Sequence, residues 1–211
     1  MTATTTRGRP RGFDRAAALE QALDQFWRYG YEATSIAMLT KAMGISPPSL
    51  YAAFGDKRKL FGDAVRQYAE TWGRYGTEPL AQEATARAAV ERVLRAAAAE
   101  YTNPVHPPGC LVISGAVNVA EADAEVKEEL RGYREAAKRA ITGKIAGDVE
   151  AGLLPPDTDS AALGSFYAAV IQGMNTQAAD GAGRAELERI ADVAMLAWPE
   201  GAGTGTGAQT A

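Results

Sequence analysis

The sequence predicts an all-α fold in two parts, a small N-terminal three-helix unit and a larger helical body behind it. Three observations carry this. Apolar residues recur at i, i+3, i+4 and i+7 in one stretch after another, the period of an amphipathic helix. Capping residues (Ser, Thr, Asp) stand before several of these stretches, and Gly or Pro stands after them. The chain has 211 residues with a 46% hydrophobic fraction, enough to bury a real core in one large or two small domains.

In chain order, residues 1–12 are a polar tail without periodicity, containing Arg7, Arg9 and Arg11. Asp14 is placed to cap a helix over about Arg15–Tyr29. In it Leu19, Ala22, Leu23, Phe26 and Trp27 form one stripe, and Gly30 ends it. Next come Ile36, Leu39 and Met43 on one helical face, with Thr34 or Ser35 as cap and Gly44 at the C-terminal stop. Ile45 points inward, Ser46 caps the following helix, and Pro47 occupies its first position, where a missing N–H costs nothing. Leu50 and Phe54 face the core and leave Ser49, Tyr51 and Ala52 outward. Two short helices joined by a tight glycine-containing turn make a helix-turn-helix, whose second helix fits a DNA major groove. Gly55 and Asp56 then start a fourth helix, to about Trp72 or Tyr75, with Leu60, Phe61, Ala64, Val65, Tyr68 and Trp72 inward.

Gly73, Gly76 and Pro79 mark a boundary. Helices are expected from about Ala81 to Tyr101, Gly109 to Ala120, Asp123 to Ala151, Asp157–Asp159 to Gly181, and Arg184 to Trp198. The last two are apolar over more than one face. A four-helix bundle shared with a second subunit would bury them, making a homodimer; the alternative is a larger intramolecular core. Residues 201–211 are Gly/Thr-rich and expected to be disordered.

Charge is unevenly placed. Net charge is −4, yet residues 1–75 carry eleven Lys and Arg against seven Asp and Glu, while residues 76–211 carry eleven against nineteen. A basic head on an acidic body suits a DNA-reading module on a solvated regulatory body. The N-terminus lacks the apolar core of a secretory signal, and the uncharged run 160–179 is interrupted by Ser165, Gln172, Asn175, Thr176 and Gln177, so no membrane span is expected. One cysteine suits a reducing, cytoplasmic setting. The one histidine, His106, lies in a Pro-rich loop and reads as a surface residue; with a single cysteine it cannot build a common zinc site, so no metal or cofactor is expected. No spacing of a nucleophile elbow, Walker A loop or dinucleotide fingerprint occurs, and nothing supports an enzyme.

The run Gly30–Val65 resembles the DNA-binding domain of the tetracycline-repressor (TetR) family. The matching signals are Gly30-Tyr31, Thr34-Ser35, Gly44-Ile45-Ser46, Leu50-Tyr51, Phe54, Lys57 and Leu60. The resemblance covers the first third of the chain. Pro48 departs from it, since many members carry a small residue there; Pro47-Pro48 stiffens the helix start and removes two backbone donors. The resemblance implies a helix-turn-helix DNA-binding domain over 13–75 and an effector-binding and dimerisation domain over 76–200. It implies a repressor released from a palindromic double-stranded DNA operator by a small-molecule effector. Thr34, Ser35, Ser46, Pro47, Ser49 and Tyr51 would contact the operator, with Lys57 on phosphate, and Arg9 and Arg11 would reach a minor groove or remain a solvated tail.

Candidate effector-lining residues, by helical face, are Tyr68, Trp72, Tyr101, Cys110, Ile113, Val117, Tyr133, Tyr167 and Met174, and they are equally plausible as plain core. Cys110 opens an expected helix, whose N-terminus would lower its thiol pKa. It is therefore either a thiol sensor of oxidants or electrophiles, or an inert buried residue. A helical small-molecule-binding protein without DNA function is the other alternative.

Overall fold

The computed structural model describes residues 13–199, and all regular secondary structure among them is helical. Helix α1 (Arg15–Ala33) is capped by Asp14, whose carboxylate accepts from the N–H of Ala16 and Ala17. Gly30, at φ 73° and ψ 172°, breaks its helical path near the end, a conformation open to glycine almost alone. Ser35 caps α2 (Ile36–Met43), and Gly44 closes it in the left-handed region. Ser46 caps α3 (Pro47–Phe54), and Asp56 caps α4 (Lys57–Glu70). Phe26, Tyr31 and Phe61 meet at centroid distances of 5.0–6.3 Å, mostly edge to face, and with Leu39, Leu50 and Leu60 form the core of this unit. Each such buried side chain stabilises by about 1.5–3 kcal/mol. Arg15 lies 4.5 Å above the Phe54 ring and pairs with Asp63 at 2.7 Å, tying α1 to both α3 and α4.

The body begins with a 3-10 turn (Trp72–Gly76) and a short α5 (Glu78–Gln82). It continues with α6 (Ala86–Tyr101), α7 (Leu111–Ser114), α8 (Ala124–Glu150), α9 (Ser160–Ala179) and α10 (Arg184–Met195). Two expected helices differ. The one over 81–101 is split between α5 and α6, because Thr85 caps Ala88 and the buried carboxylate of Asp148 on α8 accepts from the Ala86 N–H at 2.7 Å. The one over 109–120 is reduced to a single turn, because the Gly115 carbonyl bonds the Tyr31 N–H at 2.7 Å instead of continuing a helix. The fourth helix also stops at Glu70, short of Trp72. No described helix is long and apolar enough to cross a membrane.

Candidate nucleic-acid interface and internal cavity

The start of α3 is presented to solvent. Ser46, Pro47 and Pro48 are exposed, and Tyr51 is 50% exposed one turn further on. Ser49 is half-buried, its hydroxyl 2.9 Å from that of Ser46. Ser35 is exposed at the start of α2. Thr34 is a correction: it is fully buried, and its hydroxyl donates to the Gly30 carbonyl at 2.6 Å. It fastens the corner between α1 and α2 and offers no surface to a groove.

Lys57 stands at the N-terminus of the fourteen-residue α4, where backbone N–H groups and the helix dipole favour an anion. Its ammonium lies 4.2 Å from the Tyr31 ring centroid and donates to the Glu32 carbonyl at 3.4 Å. Partial burial pulls its pKa down, against the opposing charges of Glu32 and Asp123. Arg58 beside it pairs with Glu125 of α8, and Lys59 pairs with its own cap Asp56 at 3.8 Å. Arg9 and Arg11 lie outside the described residues.

Behind this unit, a cavity of about 150 Å³ lies between α4, the 3-10 turn, α6, α7, α8 and α9. Val93, Ile113, Ile141 and Ile171 supply apolar wall, Tyr68, Tyr75 and Tyr133 line it with rings, and Arg134 and Lys138 of α8 bring positive charge. The Tyr68 hydroxyl donates to Cys110 Sγ at 3.1 Å, and those of Tyr75 and Tyr101 are 2.7 Å apart. Burial raises the pKa of all three phenols, so they stay protonated. Cys110 itself is 4% exposed, and its N–H donates to Asn175 Oδ1 at 2.6 Å.

A family model described as "Bacterial regulatory proteins, tetR family" matches residues 18–64, and one described as "Tetracyclin repressor-like, C-terminal domain" matches residues 86–193. The chain is 32% identical over 196 residues to the HTH-type transcriptional repressor ComR of Escherichia coli K12, covering 92% of this chain and 93% of ComR. The chain belongs to the TetR family of transcriptional regulators. It is also 33% identical over 139 residues to the repressor BdcR of Escherichia coli K12, covering 66% of this chain and 69% of BdcR. A cysteine-substituted variant of the TetR family regulator CifR, complexed with 26-base-pair double-strand operator DNA, superimposes with TM-score 0.87 at 40% identity, over 91% of this chain and all of that one.

Of the residues expected to line an effector site in this TetR-family regulator, Tyr68, Cys110, Ile113 and Tyr133 border the cavity. Five do not. Trp72 packs against His106 at 4.9 Å, Tyr101 sits one layer behind Tyr75, and Val117 is 59% exposed. Tyr167 packs on Trp198 at 5.5 Å and donates to the Ala194 carbonyl, while Met174 is fully buried core. Arg134, Lys138 and Gln172 were missed, because charged and amide residues on a helix read as solvent-facing when only the sequence is in view, and Tyr75 because it lies in the 3-10 turn beyond the α4 stripe. His106 is a second correction. It is buried, stacked on Trp27 at 4.3 Å, with Nε2 2.9 Å from Glu100 and Nδ1 2.8 Å from the Pro107 carbonyl. Cys110 stands before a single-turn α7 rather than at the start of the longer helix expected there.

Proposed function

We propose that the protein is a homodimeric repressor that reads a near-palindromic operator and is released by a small molecule bound in the cavity. The observation that carries this is α3, where Ser46, Pro47 and Tyr51 are exposed on a helix that leads directly into the basic N-terminus of α4. Residues 13–75 would form the DNA-reading unit and 76–200 the effector and dimerisation unit. Tyr51 and Ser35 would contact phosphate or sugar, Ser46, Pro47 and Ser49 would approach base edges, and Lys57 would leave the Tyr31 ring for a phosphate. Phe166, Val193 and Leu196 of α9, α10 and the segment after it are 40%, 67% and 83% exposed in the single chain, which supports burial of this face against a second copy. Two α3 helices related by a two-fold axis would then meet half-sites ~34–36 Å apart or a multiple of that. Such a protein acts where the chromosome lies, in the cytoplasm, and its cavity binds rather than catalyses.

The test is fluorescence anisotropy on DNA from upstream of the protein's own coding region, at two salt concentrations. Tight, sequence-selective binding that weakens with salt is expected, because each neutralised phosphate releases counterions. Weak binding, equal on scrambled DNA and with no preferred sequence selected from a random pool, would refute the repressor reading.

A further inference from the structure

Among the described residues Arg134 is a charge without a counter-ion. Its neighbours on α8 are matched: Arg131 pairs with Glu128 at 2.6 Å, and Lys138 pairs with Glu135 at 2.9 Å. Among the described residues Arg134 makes one polar contact, an Nη1–H donated to the Val112 carbonyl at 2.7 Å. Its side chain is part-buried at the cavity wall, and burial depresses its pKa, yet an arginine remains charged. Buried charge is ordinarily paired. The remaining N–H groups of the planar guanidinium form a fork that matches a carboxylate.

Several of the cavity's other polar groups are already engaged. The Tyr68 hydroxyl is taken by Cys110 and that of Tyr75 by Tyr101, while the Tyr133 hydroxyl has no partner among the described residues. Among the described residues, unused hydrogen-bonding capacity at the cavity thus lies on Arg134 and Tyr133, adjacent on α8, and on the Gln172 amide of α9. Apart from Thr77, Lys138 and Gln172, the rest of the wall is mainly aliphatic or aromatic. The volume of about 150 Å³ equals that of an engineered apolar cavity that holds benzene.

We propose that this cavity takes a small carboxylic acid in its anionic form, with an apolar body of about six carbons, roughly one ring, and its carboxylate on Arg134. The proposal rests on the cavity being the effector site and assigns the class of that effector. A cationic ligand is disfavoured by Arg134 and Lys138, and a neutral one leaves Arg134 without a counter-charge. Arg134 also holds the Val112 carbonyl, three residues before Gly115, whose carbonyl holds Tyr31 of the DNA-reading unit.

The probes are benzoate, benzyl alcohol and benzylamine, titrated into the full-length protein by calorimetry at pH 7 without DNA. Benzoate is expected to bind at least about tenfold more tightly than benzyl alcohol, the ratio that one charge-assisted hydrogen bond supplies. Benzylamine is expected not to bind. Arg134→Gln should weaken benzoate by about 10- to 100-fold while moving benzyl alcohol by only a few-fold, and Arg134→Lys, which keeps charge but loses the fork, should fall between. Absence of benzoate binding, equal affinity for benzoate and benzyl alcohol, or a benzoate affinity untouched by Arg134→Gln would overturn the assignment. If the variants fail to fold, the ratios on the unaltered protein decide. A parallel anisotropy titration separates the two readings: benzoate that binds but leaves operator affinity unchanged upholds the ligand class and removes the cavity as effector site.

Discussion

The N–H of Tyr31 donates to the carbonyl of Gly115 at 2.7 Å, so the segment that walls the cavity is bonded to the corner from which α2 and α3 project. Gly30 makes this possible. A Cβ there would stand 3.2 Å from the Gly115 oxygen, on a backbone that L-residues rarely adopt. Gly30→Ala should cost about 1–3 kcal/mol. Urea unfolding measures it, and a loss under about 0.5 kcal/mol, the level of an ordinary surface change, would mean that the corner relaxes freely.

Thr34 and Tyr51 are expected to fail in opposite ways. Thr34→Val leaves the Gly30 carbonyl short of its donor and should lower stability by about 1–3 kcal/mol, with little direct effect on operator affinity. Tyr51→Phe should leave the unfolding curve in place and weaken operator binding by about 10- to 100-fold, the worth of one hydrogen bond to a charged phosphate. Unfolding and anisotropy on both variants check the pair.

How much could be read from sequence follows a physical divide. Ser35, Gly44, Ser46, Pro47, Gly55 and Asp56 are read correctly because caps and stops are local, and their chemistry depends on a few neighbouring N–H groups. The cavity is not local. Tyr68 and Tyr167 show the same helical periodicity, yet one borders a void and the other packs on Trp198. His106 follows the same rule, since only the closing of its loop onto Trp27 buries it.

Alkali should unfold the protein through its phenols. Burial raises the Tyr167 pKa to about 12, against about 10 in an unfolded chain. A raised pKa contributes stability that is complete below about pH 10 and is lost as pH climbs toward about 12. Tyr68 and Tyr101 shift the same way. Between pH 9 and 11 the unfolding free energy should fall, with on the order of 1 kcal/mol of the drop absent in Tyr167→Phe. An identical drop in that variant would assign the loss to other groups.

Leu196→Glu places a charge on the apolar face proposed to meet a second copy. Sedimentation should show the protein shifting from dimer toward monomer, with cooperative unfolding retained. A dimer of undiminished affinity would move the interface elsewhere.

Cys110 is 4% exposed behind Tyr68. A bulky fluorogenic maleimide at neutral pH should therefore label the protein only after denaturation. Prompt labelling of the native protein would instead favour a thiol that reports on electrophiles.

Two of the three tryptophans, Trp27 and Trp72, flank His106 at 4.3 and 4.9 Å, where α1 meets the body. The third, Trp198, lies against Tyr167 of α9, within the body. The joint between the two parts thus carries its own chromophores. Two of the three tryptophan emitters of the unlabelled protein therefore stand at that joint, and replacing Trp198 alone would leave a tryptophan signal that comes only from it.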